Sequence, residues 1–363
     1  MWQPNRRAVL SAAVVLPGMT LVSAGAEPGS RLARAAAASG RRIGMAIRWD
    51  RLDEERALRR AVTDDCHWIT PEFDWNWNAL EYERGRWWFE RGDQIARFAR
   101  RHDLAMRGHV LVWEQGTPAW AREELVAGRD WRLVEHWFGG VLGRYAEAAE
   151  EWSVVNEVID TEAGDADGLR RNCFHQAFGR DYVARAFHSA RALAPGLRLM
   201  INEYGLEYAN PVERDRRTAF LRLIERLRRD GVPIDGVGVQ AHLDLRKGPL
   251  DTGGIADMLR AIAGMGLSIT VTELDVMEAD RRRSTTERDM AVADAMRRYL
   301  DVALAEPAVT GVTLWGVSDR DSWLQTEPGS EPGILNRGLL YDDRVRPKPA
   351  YRAVTDAFAA AAR

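Results

Sequence analysis

Residues 151–158 read EWSVVNEV. A short run rich in Val and aromatic residues, closing on the polar pair Asn156 and Glu157, fits a strand buried on both faces. The same plan recurs along the chain. It appears as RIGMAIRW (42–49), HWITPE (67–72), AMRGHVLVW (105–113), RLMINEYG (198–205), GVGVQAHL (236–243), SITVTELD (268–275) and VTGVTLWGV (309–317). Amphipathic Arg/Glu/Ala-rich segments with helical spacing lie between these runs, such as DQIARFARRH (93–102), ERDRRTAFLRLIERLRRDG (213–231) and RDMAVADAMRRYLDVALAE (288–306). Eight strand-then-helix units without an internal linker predict an α/β fold, a single (β/α)8 TIM barrel over 42–363. An open doubly wound sheet is the alternative. It lacks its phosphate loop here, because GVGVQA does not complete G-x-G-x-x-G.

A barrel of this kind carries its chemistry at the C-terminal ends of its strands. Those ends offer Glu72, then His109 and Trp113, then Asn156 and Glu157. They continue with Asn202 and Tyr204, Gln240 and His242, Glu273 and Asp275, and Trp315. One such residue alone is more often a helix cap or a hydrogen-bonded core group. A ring of them at one pole points to a site. Two carboxylates facing each other across a pocket suit glycoside hydrolysis, one giving a proton to the leaving oxygen while the other attacks the anomeric carbon. Glu157 and Glu273 fit best, since each ends an apolar core strand. The 14 Trp residues suit stacking on the C–H face of a sugar, although most of them belong to the core.

Other chemistries find little support. H-E-x-x-H, G-x-S-x-G and C-x-x-C are all absent. The acidic loop DTEAGDADG (160–168) resembles a calcium loop only loosely, with Arg171 where a bidentate Glu is needed. A net charge of -3 gives no sign of nucleic-acid binding, and the basic residues are Arg apart from Lys247 and Lys348. Cys66 and Cys173 lack metal-ligand spacing and are expected as two buried thiols, though one bridge between them is open. At the N-terminus, Arg6 and Arg7 precede an apolar run and an Ala-Gly-Ala ending at Ala26. That layout predicts an export signal of twin-arginine type over 1–26, followed by a flexible Ala/Arg-rich segment over 27–41. The product would be periplasmic or extracellular, without stable membrane association.

From about Arg42 onward the chain resembles a family-10 glycoside hydrolase, typically an endo-β-1,4-xylanase. WSVVNE (152–157) is similar to the family's acid/base motif and TVTELDV (270–276) to its nucleophile motif. GHVLVW (108–113), TPAW (117–120), GVGVQAHL (236–243), LWGVSDRDSW (314–323) and RPKPAY (346–351) match further blocks in order. The resemblance implies a retaining mechanism, with Glu157 as acid/base and Glu273 as nucleophile, their carboxyl groups about 5–5.5 Å apart. It implies Asn156 at the sugar 2-hydroxyl, His242 orienting Glu273 with Asp275 behind it, and Gln240 and Tyr204 beside the same sugar. Glu72, His109, Trp113, Trp315 and Trp323 would complete the substrate surface. The implied partner is a β-linked oligo- or polysaccharide, with no metal or organic cofactor.

The chain departs from that pattern in ITPEFDWNWNALEYERGRWWFE (69–90). Typical members read Thr-x-Glu-Asn-x-x-Lys there; here Glu72 is kept, Phe73 stands at the Asn position and Asn76 at the Lys position. Glu114 replaces a His after Trp113, and Gly205 replaces an Asn. Fewer polar donors imply weaker discrimination by the distal glycone subsite. Xylan or xylo-oligosaccharides are the expected substrate. The alternatives are another β-glycoside handled by the same chemistry, or a carbohydrate-binding protein without turnover. Trp77, Leu80 and the Trp87–Phe89 cluster are expected to pack the barrel.

Overall fold

The computed structural model describes residues 29–327 and 333–362. The export segment expected over 1–26 lies outside them. Nine parallel strands are described: β1 (Arg42–Ile47), β2 (Trp68–Pro71), β3 (Ala105–Val112), β4 (Glu151–Asn156), β5 (Arg198–Glu203), β6 (Gly236–Val239), β7 (His242–Asp244), β8 (Ser268–Met277) and β9 (Val309–Leu314). Their order is β6-β5-β4-β3-β2-β1-β9-β8-β7, and an added β6–β8 pairing closes the ring. Nine strands make eight staves, because β6 and β7 both pair with β8 in succession. The single run read at 236–243 is therefore broken at Gln240–Ala241, where Ala241 turns left-handed (φ 62°). This closed (β/α)8 TIM barrel is the predicted fold.

Burial explains the continuous apolar lettering. Every residue of β4 is buried, and β8 is buried over Ile269–Met277. At the N-terminal pole the barrel is plugged by an ion pair: Arg107 of β3 meets Glu151 of β4, and neither side chain is exposed above 1%. Thr270 Oγ1 also donates to Glu151, at 3.2 Å. Outside the ring, helices follow the strands, among them Glu90–Arg101, Pro211–Arg229 and Thr285–Ala303. The last of these starts with a full capping box between Ser284 and Glu287.

One boundary is corrected. The segment expected to be flexible over 27–41 contains a helix, Arg31–Ala38, capped by Ser30 and burying Leu32, Ala33 and Ala36. It packs on the C-terminal helix Pro349–Ala361. Its small apolar face finds a partner there, which Ala-rich composition by itself does not reveal. Cys66 and Cys173 are both free and buried. No helix of the described residues is long and apolar enough to cross a membrane.

The aromatic stretch after β2 is mostly core. Trp75 stacks between Tyr145 (4.4 Å) and Trp152 (5.1 Å). Trp77 stacks on Trp137 at 5.3 Å, its indole N–H donating to Glu81 at 2.9 Å. Trp87 stacks on Phe89 at 5.0 Å and lies parallel to Trp137. Phe73 differs from these rings, with 42% of its surface exposed.

Candidate active site

The C-terminal ends of the strands open into a cleft of about 530 Å³. Glu157 follows directly on β4 and Glu273 lies within β8; both line the cleft, Glu273 buried at 4% exposure and Glu157 half-buried. Asn156, Gln240 and His242 line it between them, with Tyr204 and Gly205 on the side of β5. His109, Trp113, Trp315 and Trp323 form its aromatic wall; Glu72, Phe73 and Asp275 also line it, as do Arg246 and Lys247, which sequence reading did not place there. Asn76 and Glu114, expected at the altered subsite, do not line it. Asn76 heads the short turn Trp77–Leu80, which directs its amide inward beside Gly116 without a hydrogen-bond partner. Glu114 turns away to accept from the Cys173 N–H at 3.1 Å.

Amides join the two carboxylates. Asn202 Nδ2 donates to Glu273 Oε1 at 2.6 Å and to Asn156 Oδ1 at 2.8 Å. Asn156 Nδ2 in turn donates to Glu157 Oε1 at 3.1 Å. Gln240 Nε2 reaches Asn156 Oδ1 at 3.2 Å and Glu157 Oε1 at 3.4 Å. The Asn202 amide is fixed in orientation because its Oδ1 accepts from Thr272 Oγ1 at 2.7 Å. Gly238 makes this possible, since a Cβ there would lie 2.1 Å from Asn202 Oδ1. The glycines of GVGVQA serve close packing, which explains why no phosphate loop is completed. Asn202 stood in the strand-end ring but not among the expected site residues. Its role follows from a register that places it opposite Asn156.

Electrostatics divide the pair. Burial pushes the Glu157 carboxyl above its ordinary value, the nearby Glu273 charge adds to this, and Trp113 and Gln240 oppose it. Burial would also raise Glu273, but the hydrogen bond from His242, the nearby imidazoles and Asn202 outweigh it and hold Glu273 below the usual carboxylate value. His242 Nε2 lies 3.2 Å from Glu273 Oε2, and its Nδ1 lies 2.8 Å from Asp275 Oδ1. Burial disfavours the imidazolium, yet Asp275 and Glu273 raise its pKa well above the ordinary value. Trp323 Nε1 holds the other Asp275 oxygen at 2.6 Å. By contrast, burial lowers His109 to about 4, so it faces Trp315 as a neutral ring, 5.1 Å away.

At the β2 end of the cleft, burial pushes Glu72 up to about 8, with the Arg48 charge opposing it. At neutral pH Glu72 is therefore largely a proton donor. The guanidinium of Arg48 lies 5.5 Å from the Phe73 ring centroid and is held by Asp50 at 3.1 Å. Sequence reading missed Arg48, which precedes the motif block by more than one element. Among the described residues no cluster of His, Cys, Asp and Glu could hold a metal ion.

The family model described as glycosyl hydrolase family 10 matches residues 31–357. An endo-1,4-beta-xylanase 5 of Pyricularia oryzae is 31% identical over 309 residues, covering 83% of this chain and 71% of the relative. Among solved structures, native xylanase 10B from Thermotoga maritima superposes with a TM-score of 0.79 at 26% identity, covering 90% of this chain and 97% of its own. Xylanase 10B from Thermotoga petrophila in complex with xylobiose also gives 0.79, at 25% identity, with 92% and 98% covered.

Proposed function

The chain belongs to glycosyl hydrolase family 10, and we propose that it cleaves β-1,4-linked xylan or xylo-oligosaccharides with retention of configuration. One observation carries the reading: two carboxylates, the half-buried Glu157 and the buried Glu273, joined through Asn156 and Asn202, stand in opposite electrostatic environments. The raised carboxyl, Glu157, is suited to hold a proton, and the lowered one, Glu273, to stay ionised.

In the first step Glu273 attacks the anomeric carbon, the glycosidic C–O bond breaks, and Glu157 gives its proton to the departing oxygen. The product is a glycosyl ester on Glu273. In the second step Glu157, now a carboxylate, takes a proton from water as the water oxygen attacks the same carbon. The ester bond breaks and both side chains return to their starting states. His242, charged and backed by Asp275 and Trp323, steadies Glu273 in both steps.

A second reading, a β-glycoside other than xylan, is favoured by the distal end of the cleft. Phe73 presents an apolar ring there, held by Arg48, and Asn76 does not reach the cleft. An aryl β-xylobioside, an aryl β-cellobioside and polymeric xylan, assayed side by side, separate the two. Preference for the xylobioside together with rapid attack on xylan supports the first. Comparable rates on both disaccharides, with little attack on xylan, would move the assignment to the second. The twin arginines and apolar run of residues 6–26 support export as the route to such a substrate.

A further inference from the structure

Glu157 has left-handed backbone geometry, φ 55°, immediately after the last residue of β4. A side-chain-bearing residue is strained there, so its surroundings must impose the conformation. Its N–H donates to Asn202 O at 3.0 Å. Its carbonyl accepts from Arg170 Nε at 2.8 Å. Arg170 reaches that point because residues 158–170 double back: Arg170 N donates to Val158 O and Asp160 N to Gly168 O, both at 2.8 Å, while Ile159 pairs antiparallel with Leu169. The acidic loop inside this excursion uses one oxygen each of Asp160 and Asp165 internally, while Asp165 also meets His175 at 3.1 Å and Asp167 meets Arg226 at 3.3 Å. Asp160 accepts from the N–H groups of Glu162 and Ala163, and Asp165 from those of Asp167 and Leu169.

The other donors of Arg170 continue the pattern. Nη2 reaches Ile159 O at 3.0 Å and the Tyr204 hydroxyl at 2.9 Å. A second guanidinium, that of the buried Arg216, donates to the same Ile159 O at 2.9 Å and lies 4.4 Å over the Tyr204 ring. Arg216 is also 3.6 Å from Glu203, whose carboxylate accepts from the Ile159 N–H at 2.9 Å. Gly205 leaves it room, since a Cβ at that left-handed position (φ 66°) would come within 3.3 Å of Arg216 Nε. Residues 157–159 and Tyr204 are thus one clamped unit. Neither arginine lines the cleft itself.

We propose that Arg170, supported by Arg216, is a positioning residue that aims the Glu157 carboxyl at the leaving-group oxygen. It does so by fixing the Glu157 carbonyl and the Tyr204 hydroxyl from one guanidinium. The inference rests on Glu157 being the acid/base. A planar fork can serve these acceptors together, whereas a lysine ammonium is a single point of charge on a flexible stem. The role is visible in how rate depends on the leaving group. A sugar oxygen must be protonated as it departs, while 2,4-dinitrophenolate leaves without help.

The test compares kcat/KM on xylotetraose and on 2,4-dinitrophenyl β-xylobioside for the wild type, Arg170→Met, Arg170→Lys, Tyr204→Phe and Glu157→Ala. Arg170→Met should lose about 10²-fold on xylotetraose and less than about fivefold on the aryl glycoside. Arg170→Lys and Tyr204→Phe should lose less, in the same direction. The ratio of the two rates does not depend on the fraction of folded enzyme, so a variant that only unfolds lowers both in parallel. Should Arg170→Met not accumulate as folded protein, the other two variants carry the comparison. Parallel losses in the Arg170 and Tyr204 variants, with the split present in Glu157→Ala, would overturn the positioning role. Parallel losses in Glu157→Ala would instead overturn its assignment as acid/base.

Discussion

His242 sets its Nε2 3.2 Å from Oε2 of Glu273. Because Asp275 and Glu273 favour the imidazolium, this contact places a positive charge against a buried carboxylate and keeps that carboxylate ionised. The kcat/KM profile should be bell-shaped, with an acidic limb from Glu273 and a basic limb from Glu157. In His242→Asn the burial of Glu273 is less opposed, so its pKa rises and the acidic limb should move up by about one pH unit or more. The basic limb should move much less. A profile of this variant with an unshifted acidic limb would show that His242 does not tune Glu273.

Glu72 gives a stability prediction. It is 4% exposed, and burial raises its carboxyl to about 8, whereas in the unfolded chain it titrates near the ordinary value of about 4.3. An acid whose folded pKa lies above its unfolded pKa costs nothing below the unfolded value. It costs progressively more as pH rises toward the folded value, because only the unfolded chain ionises freely. Glu72→Gln should therefore raise the melting temperature at pH 7 by roughly a few degrees and leave it nearly unchanged at pH 4. Equal shifts at both pH values would contradict the cause given.

Asn202 is expected to matter without touching the leaving group. Its amide donates to both Asn156 and Glu273, and hydrogen bonds to charged groups are worth about 1.5–3 kcal/mol. Asn202→Ala should lower kcat by roughly 10- to 100-fold on aryl glycosides, the rate equivalent of that range. Gly238→Ala should act in the same direction by pushing on the Asn202 side-chain oxygen Oδ1. Steady-state kinetics of both variants check this, and wild-type kcat in either would remove Asn202 from the site.

Phe73 and Arg48 should govern choice of sugar at the distal end of the cleft. Phe73→Asn restores a polar group where the ring is 42% exposed. It should shift the ratio of xylobioside to cellobioside turnover toward xylobioside by roughly tenfold, the effect of about 1–3 kcal/mol in a pocket contact. Arg48→Ala removes the cation–ring contact, about 0.5–1 kcal/mol at such a site, along with the Asp50 pairing and the charge that opposes the rise of Glu72, and should shift the ratio by a smaller factor. An unchanged ratio in both variants would mean that this end of the cleft does not select the substrate.

Much of this architecture is written locally. Both-face burial gives each stave its Val- and Ile-rich lettering, so the eight staves are readable, and polar residues stand out where they end. What depends on register or on a return of the chain is not local. Ala241 breaks the sixth stave in two, a backbone event without a Gly or Pro to mark it. The direction of the Asn76 side chain is set by the turn it heads, so its alignment with a sugar-binding Lys misleads. Asn202 becomes a bridge only through its register with Asn156, and Arg170 meets Glu157 only because the acidic loop folds back. The helix Arg31–Ala38 exists because the C-terminal helix covers it, which no window of sequence contains.

The division of labour between Glu157 and Glu273 is tested most directly by trapping with azide. Glu157→Ala and Glu273→Ala are each incubated with an activated aryl β-glycoside and sodium azide, and the configuration of the glycosyl azide is read by NMR. Glu157→Ala should keep activity on the activated substrate, be accelerated by azide, and yield the β-glycosyl azide, because azide then attacks an α-linked ester on Glu273. Glu273→Ala should be inactive without azide and yield only the α-glycosyl azide. The reverse pairing of variant and anomer would mean that the roles of the two carboxylates are exchanged.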